Sequence, residues 1–127
     1  MEKVTELELK QNQLTDVPKG LEKLTKLRSL YLSDNQLTNV KGLENLTQLK
    51  QLFLHYNKLT DVKGLEKLTK LTRLFLNNNQ LTDVKGLEKL TQLKELNLTY
   101  NPDLTNAQID ELKKALPKCK FYSNAKK

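Results

Sequence analysis

The sequence predicts an α/β solenoid of about five stacked coils, closed at its C-terminal end by a helix. Three observations carry that prediction. A segment of 22 residues recurs along most of the chain, leucines alternate with other residues inside each copy, and the last copy runs into a helix with clear start and stop signals. The 127 residues are expected to form one domain, with the coils over 4–104 and a capping helix, short strand and basic tail over 105–127.

The copies read "LTKLRSLYLSDNQLTNVKGLEN" at 24–45, "LTQLKQLFLHYNKLTDVKGLEK" at 46–67 and "LTKLTRLFLNNNQLTDVKGLEK" at 68–89. A fourth begins at Leu90, and a partial copy runs from Val4 to Val17. Their anchoring asparagines are Asn12, Asn35, Asn57, Asn79 and Asn101, spaced by 23, 22, 22 and 22 residues. One coil alone cannot bury its leucines, but stacked coils share a continuous core. Leu30, Leu52, Leu74 and Leu96 are expected to form one buried column, and Leu32, Leu54, Leu76 and Leu98 the next. Val40, Val62 and Val84 close the far side. Each asparagine is suited to bond backbone groups where the chain leaves its strand.

The pattern LxxLxLxxNxL resembles the leucine-rich repeat family from about residue 4 to 104. The 22-residue period is most similar to the internalin class and the short phosphatase-regulatory class. The ending "NPDLTNAQIDELKKALPKCKF" resembles C-terminal caps of bacterial members. The resemblance implies a parallel β-sheet on the concave side and 3₁₀ or short helical turns on the convex side.

The cap is legible residue by residue. Thr105 and Gln108 form a capping box, Ile109, Leu112 and Leu116 share a helical face, and Pro117 stops the helix. Cys119 and Phe121 alternate as a last strand does, which places Cys119 in the core. The other end has no such cap: Val4, Leu7 and Leu9 lie at an open sheet edge, guarded by Glu6, Glu8 and Lys10.

The single cysteine excludes an intramolecular disulfide, and the single histidine excludes histidine metal clusters. No cofactor or metal is expected, nor a small-molecule substrate. With no export signal, no membrane-length apolar run and no disulfide, a cytoplasmic location is expected for the chain as given; secretion stays open for a piece of a longer protein. The net charge is +7, and 112–127 hold six lysines and no acid, so the basicity reads as a C-terminal tail.

On the concave face the outward column between the core leucines is Glu8, Tyr31, Phe53, Phe75 and Asn97. Ser33, His55 and Asn77 share the next column, and Gln11, Asp34, Tyr56, Asn78 and Tyr100 precede the asparagines. A serine beside a histidine raises catalysis, but an open sheet offers no oxyanion hole. The reading is a non-catalytic module binding a protein or peptide on this face. Tyr31, Phe53 and Phe75 are its centre, with His55, Tyr56, Arg73 and Tyr100 around them. The alternative is a structural or engineered scaffold without a ligand, pairing as a homodimer through the N-terminal edge. A phosphatase partner, implied by the resemblance, and nucleic acid held by the lysine tail rank below both.

Overall fold

Leucines at the same places in every 22-residue copy, two of them alternating along the strand, force each copy to lie against the next, since only a neighbour can cover them. The computed structural model describes residues 4–124. Six short strands, β1 (Glu6–Glu8), β2 (Ser29–Tyr31), β3 (Gln51–Phe53), β4 (Arg73–Phe75), β5 (Glu95–Asn97) and β6 (Lys120–Tyr122), form one parallel sheet in chain order. Equivalent residues stand side by side, so Leu30 lies beside Leu52 and Leu74 beside Leu96. The expected columns are the core: Leu30, Leu52, Leu74 and Leu96 are fully buried, and Val40, Val62 and Val84 are buried behind them.

The far side turns back through 3₁₀ turns at Leu21–Lys23, Leu65–Lys67 and Leu87–Lys89. The copy at 24–45 makes the same reversal with turns alone. Before each reversal stands a glycine. Gly64 has φ +100°, a conformation that L side chains resist, and its N–H donates to Glu66 Oε1 at 2.9 Å. Bonds from its own backbone and from Gly64 hold the Glu66 carboxyl below its ordinary range.

At the C-terminal end, α1 (Asn106–Ala115) starts on the expected capping box. Gln108 N–H donates to Thr105 Oγ1 at 3.2 Å, and Thr105 N–H donates to Gln108 Oε1 at 3.0 Å. Ile109, Leu112 and Leu116 are buried against the last coil. β6 then adds a sixth strand, with Phe121 beside Leu96. Cys119 is half-buried rather than fully enclosed, and burial pushes its thiol up to about 11, so it stays protonated near neutral pH. At the other end Val4, Leu7, Leu9, Leu14 and Val17 are half-buried, whereas their counterparts in later coils are sealed. Lys126 and Lys127 of the expected basic tail lie outside the described residues.

The asparagines tie the coils together. Asn57 accepts the Leu37 N–H on Oδ1 at 3.0 Å and donates from Nδ2 to Leu32 O at 3.0 Å and Leu54 O at 2.9 Å. Asn79 and Asn101 repeat that pattern one and two coils on. Replacing Asn57 with alanine leaves the buried Leu37 N–H unpaired and takes one of two amide donors from Leu32 O and from Leu54 O, which keep Asn35 and Asn79. The expected loss is about 1–3 kcal/mol. Urea unfolding measures it. A loss no larger than that of Asn12→Ala, whose parent side chain is exposed, would contradict the role given to the ladder.

Candidate functional site

The parallel register carries every outward column across the sheet. Tyr31, Phe53 and Phe75 stand side by side, and the Tyr31 and Phe53 rings stack at 4.8 Å with an interplanar angle of 8°. Phe75 meets Phe53 edge-on at 5.2 Å. The Arg73 guanidinium lies 5.6 Å from the Phe53 ring centre and 5.4 Å from that of Phe75, and its Nε–H donates to Glu95 Oε1 at 2.8 Å. His55 sits 6.3 Å from Phe53, with its ring nearly perpendicular.

These contacts change the weight of the central residues. Phe53 is only 8% exposed, because Tyr31, Phe75, Arg73 and His55 enclose it. Its burial repays its place on an outward column, and little of its ring is left for a ligand. Tyr31 and Phe75 keep part of their surface, and so does Arg73. The open aromatics lie at the border instead: Tyr56 is 51% exposed and Tyr100 62%.

That border has a backbone peculiarity. Gln11, Asp34, Tyr56, Asn78 and Tyr100 all have φ near +60°. Inter-coil hydrogen bonds enforce the conformation, as when Tyr56 N–H donates to Asn77 O at 3.0 Å and Asn78 N–H to Thr99 O at 2.9 Å. Asparagine and aspartate tolerate this left-handed conformation; a bulky side chain pays more strain there. Two tyrosines occupy positions that their coil-mates fill with Asp34 and Asn78.

Ser33 and His55 do not form a nucleophile–base pair. Among the described residues no hydrogen bond joins Ser33 Oγ to His55, and Ser33 is buried. His55 Nδ1 and Asn77 Oδ1 are buried without a hydrogen-bond partner, an arrangement that costs stability. Burial is the main cause that pushes the His55 imidazole below its ordinary value, with Asp34 pulling it up and Lys10 lowering it slightly. A separate groove of about 640 Å³ between α1 and the Leu87–Lys89 turn mixes Asp83, Glu88 and Glu111 with Lys85 and Lys114. That mixture favours no single ligand chemistry.

The sequence reading missed Tyr122. β6 sets it beside Asn97 on the central column, and Lys120 Nζ lies 5.4 Å from its ring centre. The signal was the alternation in "CKFY", hidden because Phe121 follows Leu96 by 25 residues where the repeat has 22.

Coils alike in their frame and different along one sheet face define a repeat solenoid, a class built around an extended surface. The chain belongs to the leucine-rich repeat family: a family model of two leucine-rich repeat copies matches residues 2–45, 25–67, 47–89 and 69–114. Its repeats are of the internalin type. Among solved structures it is similar to an internalin of Listeria monocytogenes (InlF), at 30% identity over 91% of this chain and a TM-score of 0.81. It is also similar to internalin C2 of the same organism, at 29% identity over 98% of the chain and a TM-score of 0.86. A leucine-rich repeat protein of Leptospira interrogans matches at 32% identity over 94%, with a TM-score of 0.78. The chain spans 34%, 55% and 37% of those three structures respectively. No curated protein matches it. The fold is commonly a protein-interaction module.

Two outcomes are expected. Tyr56→Asn and Tyr100→Asn each relieve left-handed strain, raising stability by about 0.5–1 kcal/mol in thermal or urea unfolding; no gain from either would contradict the strain. The unfolded chain takes up the histidine proton near pH 6.5, and the folded chain only at lower pH. This group therefore leaves stability intact above about 6.5 and erodes it as pH falls through the lowered folded value. NMR titration of this sole histidine should give a midpoint below 6.5, and one at or above 6.5 would remove the effect.

Proposed function

We propose that the chain is a non-catalytic module that holds a protein segment or peptide on its concave sheet face. One observation carries this reading: Tyr56 and Tyr100 are held exposed in a backbone conformation that disfavours them, where asparagine or aspartate would serve the fold better. Strain retained at exposed residues is a mark of functional sites. Tyrosine and arginine are also the side chains enriched at binding hot spots. Arg73, partly exposed between two aromatic rings, and half-buried Tyr31, Phe75, His55 and Tyr122 continue the surface inward from that border. Phe53 acts as the packed support beneath it.

Self-association through the N-terminal edge is the weaker reading. Antiparallel pairing of β1 with its copy around a two-fold axis would set Glu6 of each chain against Glu8 of the other, and like charges directly opposed destabilise a sheet.

The test replaces Tyr56, Tyr100 and Arg73 together with serine, leaving buried Phe53 untouched. Peptides selected from a random display library on the parent chain are then measured against both proteins. Removing three hot-spot side chains is expected to weaken binding by at least about a hundredfold, with the circular dichroism spectrum unchanged. Selected peptides that bind both proteins equally would overturn the concave-face reading.

A further inference from the structure

Beside the lysines of the C-terminal tail, a second group of cations has a fixed place in the fold. The segments leading into β2 to β6 read TKLR (25–28), TQLK (47–50), TKLT (69–72), TQLK (91–94) and PKCK (117–120). They hold seven cations and no acid. Two of the seven, Lys118 and Lys120, belong also to the basic C-terminal stretch; the other five lie within the coils. The convex turns show the contrast: there the lysines alternate with Asp61, Asp83, Glu44, Glu66 and Glu88.

Parallel register aligns the segments. Arg28, Lys50 and Lys94 each stand one residue before their strands, in one row along the leading border of the sheet. Thr72 takes the equivalent place before β4 and Cys119 that before β6. Lys26 and Lys70 stand two residues earlier than the row, Lys118 one residue before Cys119, and Lys120 is the first residue of β6, beside Glu95. All seven are exposed. Among the described residues the one ion pair within 4 Å is Arg73–Glu95, so none of the seven cations is ion-paired at that distance. Two acids of the sheet have other partners: Glu95, beside Lys120 in register, accepts from Arg73, and Glu6 accepts from the Tyr31 hydroxyl at 3.3 Å.

We infer that this row is an electrostatic rail for an acidic, extended polypeptide segment lying across the strands, its carboxylates on the rail and its other side chains on the concave face. The inference deepens the proposed function and rests on it. From β2 to β6 the rail spans four strand spacings, about 19 Å, the reach of about six extended residues. Charge complementarity selects acidic partners and speeds their encounter. The central rings argue against single-stranded nucleic acid, whose bases need free aromatic faces. Tyr31 and Phe53 have turned theirs on each other. The open tyrosines, Tyr56 and Tyr100, stand at the opposite border from the cations. Six of the seven cations are lysines, not the forked arginines that suit phosphate.

The probe is a fluorescent peptide of alternating Glu and Leu, with an alternating Lys and Leu peptide as control. Its targets are the parent chain, R28Q/K50Q/K94Q, the charge-keeping R28K/K50R/K94R, and Y56S/Y100S/R73S. The acidic peptide alone should bind at about 10 mM salt. It should weaken strongly at about 150 mM, where the screening length falls from about 30 Å to about 8 Å. The glutamine variant should bind roughly tenfold more weakly and the charge-keeping variant like the parent. Equal binding by the glutamine variant overturns the rail. Displacement of the peptide by an oligothymidylate of equal charge at equal concentration overturns the polypeptide in favour of nucleic acid. Binding that needs the rail but survives Y56S/Y100S/R73S upholds the rail and overturns the concave-face reading, so the two failures are distinguishable.

Discussion

Everything in this chain depends on one side-chain amide repeated at each coil. Asn35, Asn57, Asn79 and Asn101 are buried, and each has a backbone N–H on its oxygen and backbone carbonyls on its nitrogen. Two carbonyl partners lie in its own coil, and the N–H and a further carbonyl in the coil before. A carboxylate would have no hydrogen to give and would bury a charge. A longer amide would overshoot. The ladder satisfies backbone groups that the turn out of the strand would otherwise leave unpaired inside the core. Coils locked at that corner bring their strands into register, and register puts one residue of every coil into each column.

Function is built on what the ladder leaves free. The same corner that buries the asparagine forces the preceding residue into a left-handed conformation, so the fold creates an exposed, strained position once per coil. Two copies fill it with Asp34 and Asn78, which tolerate the strain, one with Gln11, and two with tyrosine. The opposite border of the sheet carries positive charge. Between the borders lies an aromatic strip that is partly self-covered. The face is therefore asymmetric across the strands, and in the proposed function this asymmetry, rather than the aromatic strip alone, would orient a bound segment.

The fold was legible because repetition multiplies a weak signal: "LTxLxxLxL" seen once is ambiguous, but agreement at Leu30, Leu52, Leu74 and Leu96 leaves one arrangement. The capping box at Thr105 and the stop at Pro117 were readable for a local reason, since caps depend on residues three apart. The site was less legible. Alternation gave the direction of Phe53 but not the burial imposed by four neighbours, which depends on ring orientation. Left-handed φ at Tyr56 has no signature in one copy; the Asp and Asn at equivalent positions were the only hint. Tyr122 was missed because the last strand departs from the 22-residue period. The row of cations before the strands was not visible in the sequence, since five separate segments meet only when the coils stack.

Hydrogen–deuterium exchange on the chain with and without a selected peptide tests the central claim most directly, because it reads every part of the surface at once. The account places new protection at the strands and their exits, residues 50–56, 72–78 and 94–100, with the convex turns at 60–68 and 82–90 unchanged. Protection confined to those convex turns or to α1 would contradict it.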